Sequence, residues 1–171
     1  MTLKHYPNLI LIAGTGRNVG KTLLACQIIS HLAKDYDVIG VKISPHFHTV
    51  GQEQRIVKEA DGYRVIEEML LTNKDSSRMK QAGASKVFYI QSKNEHLLDA
   101  FNAINDEIDR KMVVCESGGL HNYIQPAKFI LVKGDDIPEN KANYLKYNPI
   151  IIKHNEGEFY PKFRESFLPN N

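Results

Sequence analysis

Cysteine is scarce in this chain, and so is any excess of charge. Only Cys26 and Cys115 occur among 171 residues, which excludes a disulfide framework and a cysteine-built metal cluster. Both sit inside apolar runs and read as small buried hydrophobes. Lys and Arg number 22 against 20 Asp and Glu, a formal net charge of +2. That balance gives no electrostatic footprint for bulk nucleic acid. No apolar run approaches the ~20 residues of a membrane span, and the opening Met1-Thr2-Leu3-Lys4 stretch lacks a secretory h-region. The expected compartment is the cytoplasm, with neither membrane nor nucleic acid as partner. What remains is 42% hydrophobic and 25% charged, a globular composition at the length of one domain, 1–171.

Short apolar runs alternate with helical patterns. Leu9–Ala13, Val38–Ile43, Val87–Ile90, Met112–Cys115, Phe129–Val132 and Pro149–Ile152 read as strands buried on both faces. Together they predict an α/β fold, a mostly parallel sheet of about six strands between two helical layers. Thr22–Lys34 carries Leu24, Ile28 and Leu32 every four residues, a helical stripe. Ser92 and Glu95 have capping-box spacing before Leu97, Leu98, Phe101, Ile104 and Ile108. Residues 44–73 break the rhythm, and Asp61-Gly62 between β-favouring residues predicts a hairpin leaving the sheet. That excursion is a lid, a dimer surface or an ordinary elaboration. Residues 153–171 read as a C-terminal strap.

The strongest chemical signal is Gly14-Thr15-Gly16-Arg17-Asn18-Val19-Gly20-Lys21-Thr22, between the first strand and the first helix. Glycines let successive amides turn inward as an anion-binding nest, and the helix start adds unpaired N–H groups. Lys21 supplies a charge for the β- and γ-phosphates, and the Thr22 hydroxyl a Mg²⁺ ligand. Arg17 can reach a transition-state oxygen or face solvent. The G-x-x-x-x-G-K-[ST] spacing needs glycine at 15, where Thr15 stands, so the loop is a variant. The competing reading is a helix that merely starts after a tight turn.

Other residues fall at the same edge of the expected sheet, where ligands bind in open α/β folds. Glu116 ends a strand expected beside the loop strand and can hold Mg²⁺, or is a loop glutamate before turn glycines. Asp75 is a second metal-shell carboxylate or the N-cap of a helix over 76–82 that ends at Gly83. Lys42 reaches a phosphate or a substrate carboxylate, or is a solvated strand end. His46 and His48 have metal-compatible spacing but no evident further ligands.

The loop resembles that of the dethiobiotin synthetases, G-T-D-T-x-V-G-K-T, with Gly14, Thr15, Val19, Gly20, Lys21 and Thr22 in register. Gly16-Arg17 replace its Asp-Thr. Glu116-Ser117-Gly118-Gly119 resembles that family's E-G-A-G-G, one residue shorter, and Lys42 with Pro45 resembles its strand-end Lys-Pro. Lys74-Asp75-Ser76-Ser77-Arg78 through Ala82-Gly83-Ala84 resembles the K-D-S-x-R-x-x-x-A-G-A stretch of the molybdopterin-guanine-dinucleotide biosynthesis adapters, the MobB family. Lys42 with His46 and His48 is a loose counterpart of that family's Lys-His segment. Lys133-Gly134-Asp135 resembles the guanine-reading N-K-x-D element of GTPases, with Val132 at the asparagine position; a charged turn explains it equally.

The resemblance implies the three-layer P-loop NTPase fold, Mg²⁺ with GTP or ATP, and a homodimer. Two activities follow. One is a GTP-binding adapter that hydrolyses slowly and contacts a cofactor-synthesis enzyme in molybdenum cofactor biosynthesis. The other is an ATP-dependent ligase-like enzyme acting on a small carboxylate or carbamate, for which the chain leaves little room to build a substrate pocket. A scaffold that keeps the loop without turnover is the third reading.

Overall fold

The computed structural model describes residues 3–162 and 168–169. Among them, nine strands form one sheet: β1 (Lys4–Gly14), β2 (Val38–Ser44), β3 (Gln54–Ala60), β4 (Tyr63–Glu68), β5 (Lys86–Ser92), β6 (Met112–Glu116), β7 (Ile124–Lys133), β8 (Ile150–Asn155) and β9 (Glu158–Tyr160). Their order across the sheet is β3-β4-β5-β2-β6-β1-β7-β8-β9.

This sheet corrects the expectation of a P-loop fold on about six strands. The predicted runs form the parallel centre, β5-β2-β6-β1-β7-β8. Antiparallel strands extend it at both edges: β4 joins β5 and carries β3, and β9 joins β8. The sheet is therefore mixed, and the hairpin continues it rather than leaving it.

The reason lies in β4. Val65 and Ile66 are fully buried on opposite faces, but the following Glu67 and Glu68 are buried too. Glu68 accepts hydrogen bonds from Ser76 and Gln54, so a carboxylate stands where the pattern asks for an apolar residue. The Asp61-Gly62 turn forms as expected, Gly62 taking φ +80°. The C-terminal strap is, as far as Tyr160, the β8–β9 hairpin, with Phe159 buried. Residues 163–167 and 170–171 of that expected strap lie outside the described residues.

Helices cover both faces. Ile10, Ile12 and Val114 pack with α1 (Lys21–Leu32) and α2 (Asp75–Gln81) through Leu24, Ile28, Ile29 and Met79. Leu9, Leu11 and Phe88 pack on the other face with α3 (Leu97–Asn102) and α4 (Asn105–Ile108), through Phe101, Ile104 and Ile108. Double-sided burial is what makes the central strands continuous apolar runs.

The expected capping box does not form. Ser92 is held in β5 opposite Tyr63 and turns its hydroxyl to the Lys93 carbonyl at 2.9 Å. Lys93 N–H is taken by Gly62 O at 2.9 Å, and the chain enters α3 through a 3-10 turn, Asn94–His96. Cys115 is fully buried and Cys26 half-buried; burial pushes both thiols up, as inert hydrophobes require. No helix among the described residues is long and apolar enough to cross a membrane.

Candidate functional site

Three parallel strands end at one edge of the sheet, and their last residues converge there. β6 lies between β1 and β2, so Glu116 sits opposite Ile12 on one side and Lys42 on the other. Residues level in neighbouring strands point to the same face. Ile12 faces α1, so Lys42 and Glu116 emerge toward the start of that helix. The loop between β1 and α1 delivers Thr22 to them: its hydroxyl donates to Glu116 Oε2 at 2.7 Å.

Lys42 Nζ lies 2.9 Å from Asp75 Oδ2, 3.5 Å from Glu116 Oε2 and 3.4 Å from Thr22 Oγ1. The hydrogen bond from Lys42, then the charges of Lys42 and Arg78, hold the Asp75 carboxyl below its usual range. Lys21 donates to Gly16 O at 2.6 Å, across its own loop. Burial lowers its pKa, partly offset by the charge of Glu116.

Around these groups lies a cavity of about 860 Å³, lined by Arg17, Asn18, Gly20, Lys21, Thr22, Lys42, Asp75, Arg78 and Glu116, with Ser44, His46 and His48 on its far wall. That volume is of the order of known ligand sites, ~300–1,000 Å³. A second cavity of about 420 Å³ adjoins it and shares Lys42, Ser44, His48 and Asp75. Its remaining wall includes Gln54, Tyr89 and Gln91.

Several expected site residues fall elsewhere. Gly14, Thr15, Gly16 and Val19 do not line the cavity. Thr15 is buried and its amide continues the β1–β7 pairing, donating to Val132 O at 3.0 Å, which removes it from any nest. Lys133 donates to Asp135 O at 3.2 Å, and the exposed Asp135 carboxylate pairs with Lys153 at 3.0 Å. Neither lines the cavity. Asp75 is not a cap: α2 has Lys74 at its N-cap position without a side-chain bond, and Asp75 is the first helical residue. His46 and His48 lie beyond β2, not on a strand, with rings 6.5 Å apart.

Arg78 joins the site from the same Lys74–Ala84 stretch that supplies Asp75. It lies three residues after Asp75, hence on the same helix face, 3.5 Å from Asp75 Oδ1. The loop after β6 is braced from below by an aromatic cluster. Tyr144 donates to Gly118 O at 2.8 Å, and His121 packs between Phe129 and Tyr144. Burial holds the His121 imidazole down at about 4, so it is neutral at pH 7.

The donor set fits a hard cation. Thr22, Glu116 and Asp75 offer oxygen only, and Mg²⁺ prefers one or two carboxylates completed by phosphate oxygens and water. No group of three or more His, Cys, Asp or Glu gathers for a metal among the described residues. No protein-family model, curated protein or solved structure matches the chain.

Proposed function

We propose that the chain binds a purine nucleoside triphosphate with Mg²⁺, GTP ahead of ATP, and hydrolyses it slowly. The observation that carries this reading is the convergence of Lys21, Thr22, Lys42 and Glu116 around one open cavity, with Arg17 and Arg78 on its wall. Cations and a helix start face a space of polyphosphate size, while a hydroxyl and a carboxylate touch each other at a place suited to Mg²⁺. When bound, Mg²⁺ would be held by Thr22 and Glu116, and would neutralise charge on the transferring phosphoryl group. Turnover is slow because no glutamine stands among the cavity-lining residues to orient water. An adapter role toward a molybdenum-cofactor enzyme, and a homodimer, rest on the MobB resemblance. The segment that carries it, Lys74–Ala84, supplies Asp75 and Arg78 to the cavity.

The adjoining cavity of about 420 Å³ favours a second reading, an ATP-dependent ligase-like enzyme. A small carboxylate or carbamate there would have Lys42 between it and the γ-phosphate.

A competition titration separates the two: tighter GTP binding supports the adapter, tighter ATP binding the ligase-like enzyme. Absence of uptake of either nucleotide overturns both. Glu116→Gln keeps a partner for the Thr22 hydroxyl but removes the charge. It is expected to lower Mg²⁺-dependent turnover by about 100-fold and to leave Mg²⁺-free nucleotide binding nearly unchanged. An equal fall in both would make Glu116 structural.

A further inference from the structure

We propose that the Lys42 ammonium and the divalent cation compete for the same three oxygens, so that Lys42 bars the metal until phosphate draws it away. This rests on the reading of the cavity as a polyphosphate site, and it adds how metal entry is controlled there. The observation is a coincidence of atoms. Asp75 Oδ2, Glu116 Oε2 and Thr22 Oγ1 are the oxygens available to Mg²⁺, and all lie within 3.5 Å of Lys42 Nζ.

An ammonium and a metal ion cannot share them. Metal–oxygen distances are ~2.0–2.1 Å for Mg²⁺, so the ion would stand almost against the lysine nitrogen, cation on cation. The Glu116 side of the pairing is also sheltered from water, the Lys42 side chain being 18% exposed and that of Glu116 9%, whereas Asp75 is half-exposed. Shelter strengthens both the attraction that holds Lys42 and the repulsion that excludes the ion.

Lys42 nevertheless has somewhere to go. It is the neighbour of Glu116 across β2 and β6, and it lines the polyphosphate cavity as well. Its four-carbon stem lets the ammonium swing from the carboxylates onto phosphate oxygens without any backbone change. Phosphate thus removes the competing cation and supplies further metal ligands in one event. Metal and nucleotide then bind with positive coupling, each raising the affinity of the other. Arg78 cannot replace Lys42, because it reaches only the other oxygen of Asp75, Oδ1 at 3.5 Å.

The experiment measures Mn²⁺ binding to the full chain by electron paramagnetic resonance, with no nucleotide present, in wild type, Lys42→Met and Lys42→Gln. Both variants should bind Mn²⁺ about tenfold more tightly or better, a change of about 1.4 kcal/mol. Adding Asp75→Asn to Lys42→Gln should cancel the gain. Folded variants with wild-type Mn²⁺ affinity overturn the proposal. Should Lys42→Met fail to fold, Lys42→Gln decides alone, since it keeps a polar, uncharged side chain at the strand end. Nucleotide uptake with unchanged Mn²⁺ affinity sinks the exchange and leaves the site reading standing. Tighter Mn²⁺ binding without any triphosphate uptake keeps the competition between Lys42 and the metal but overturns the site reading and phosphate as what relieves that competition.

Discussion

Lys21→Met is expected to weaken triphosphate binding by roughly 30- to 4,000-fold while leaving the melting temperature nearly unchanged. The size follows from truncating one partner of a desolvated charge pair, ~2–5 kcal/mol, with 1.4 kcal/mol per factor of ten. The selectivity follows from what Lys21 does in the fold. Its stem fills the space above Gly14, where a Cβ would stand 2.6 Å from Lys21 Cδ. Among the described residues its ammonium donates one hydrogen bond, to the Gly16 carbonyl. Methionine keeps the stem and loses the charge, so packing survives and the anion contact does not. Lys21→Ala should lose as much affinity and additionally loosen the loop. Isothermal titration with GTP and ATP, beside a thermal melt, checks both halves. Unchanged affinity in the methionine variant would remove the phosphate-loop assignment.

The parallel centre of the sheet was legible because burial on both faces writes itself as continuous apolar runs. Its flanks were legible only in part: the Asp61-Gly62 hairpin shows in the sequence, its joining of the sheet through β5 does not. In β4 a fully buried glutamate, Glu68, accepts at one carboxylate oxygen from Ser76 and Gln54, residues that come together only after folding. In β9 three residues are too few to display a period. The site divides the same way. Lys21, Thr22 and Glu116 follow from local context, a loop before a helix and a carboxylate at a strand end. The link from Lys42 to Asp75 spans 33 residues and depends on α2 starting one residue earlier than a cap would allow. Lys133 and Asp135 mislead because three letters in a row say nothing about Lys153, which takes the aspartate.

Gly20 shows a motif residue required for a reason its motif does not contain. In the sequence it is the glycine before Lys-Thr, where the phosphate-loop reading asks for amides that can approach an anion. In the fold it also takes φ +96° and ψ 12° at the N-cap of α1, and a Cβ there would stand 2.7 Å from Cγ of His154. His154 comes from β8, far along the chain, and its ring packs 4.9 Å from Phe159. Two separable costs therefore meet in Gly20→Ala. Left-handed backbone for an L-residue contributes ~1–2 kcal/mol, and forcing the imidazole aside ~1–3 kcal/mol. Together they should destabilise the chain by roughly 2–5 kcal/mol in urea or thermal unfolding. The contact share is recoverable: in the His154→Ala background the same substitution should cost only the backbone share. A double-mutant cycle then gives a coupling of ~1–3 kcal/mol. Additive effects would mean that the ring does not press on the loop. Because the readout is stability without ligand, the test isolates a second constraint on this glycine: the β8–β9 hairpin, whatever the loop binds, holds the ring against it.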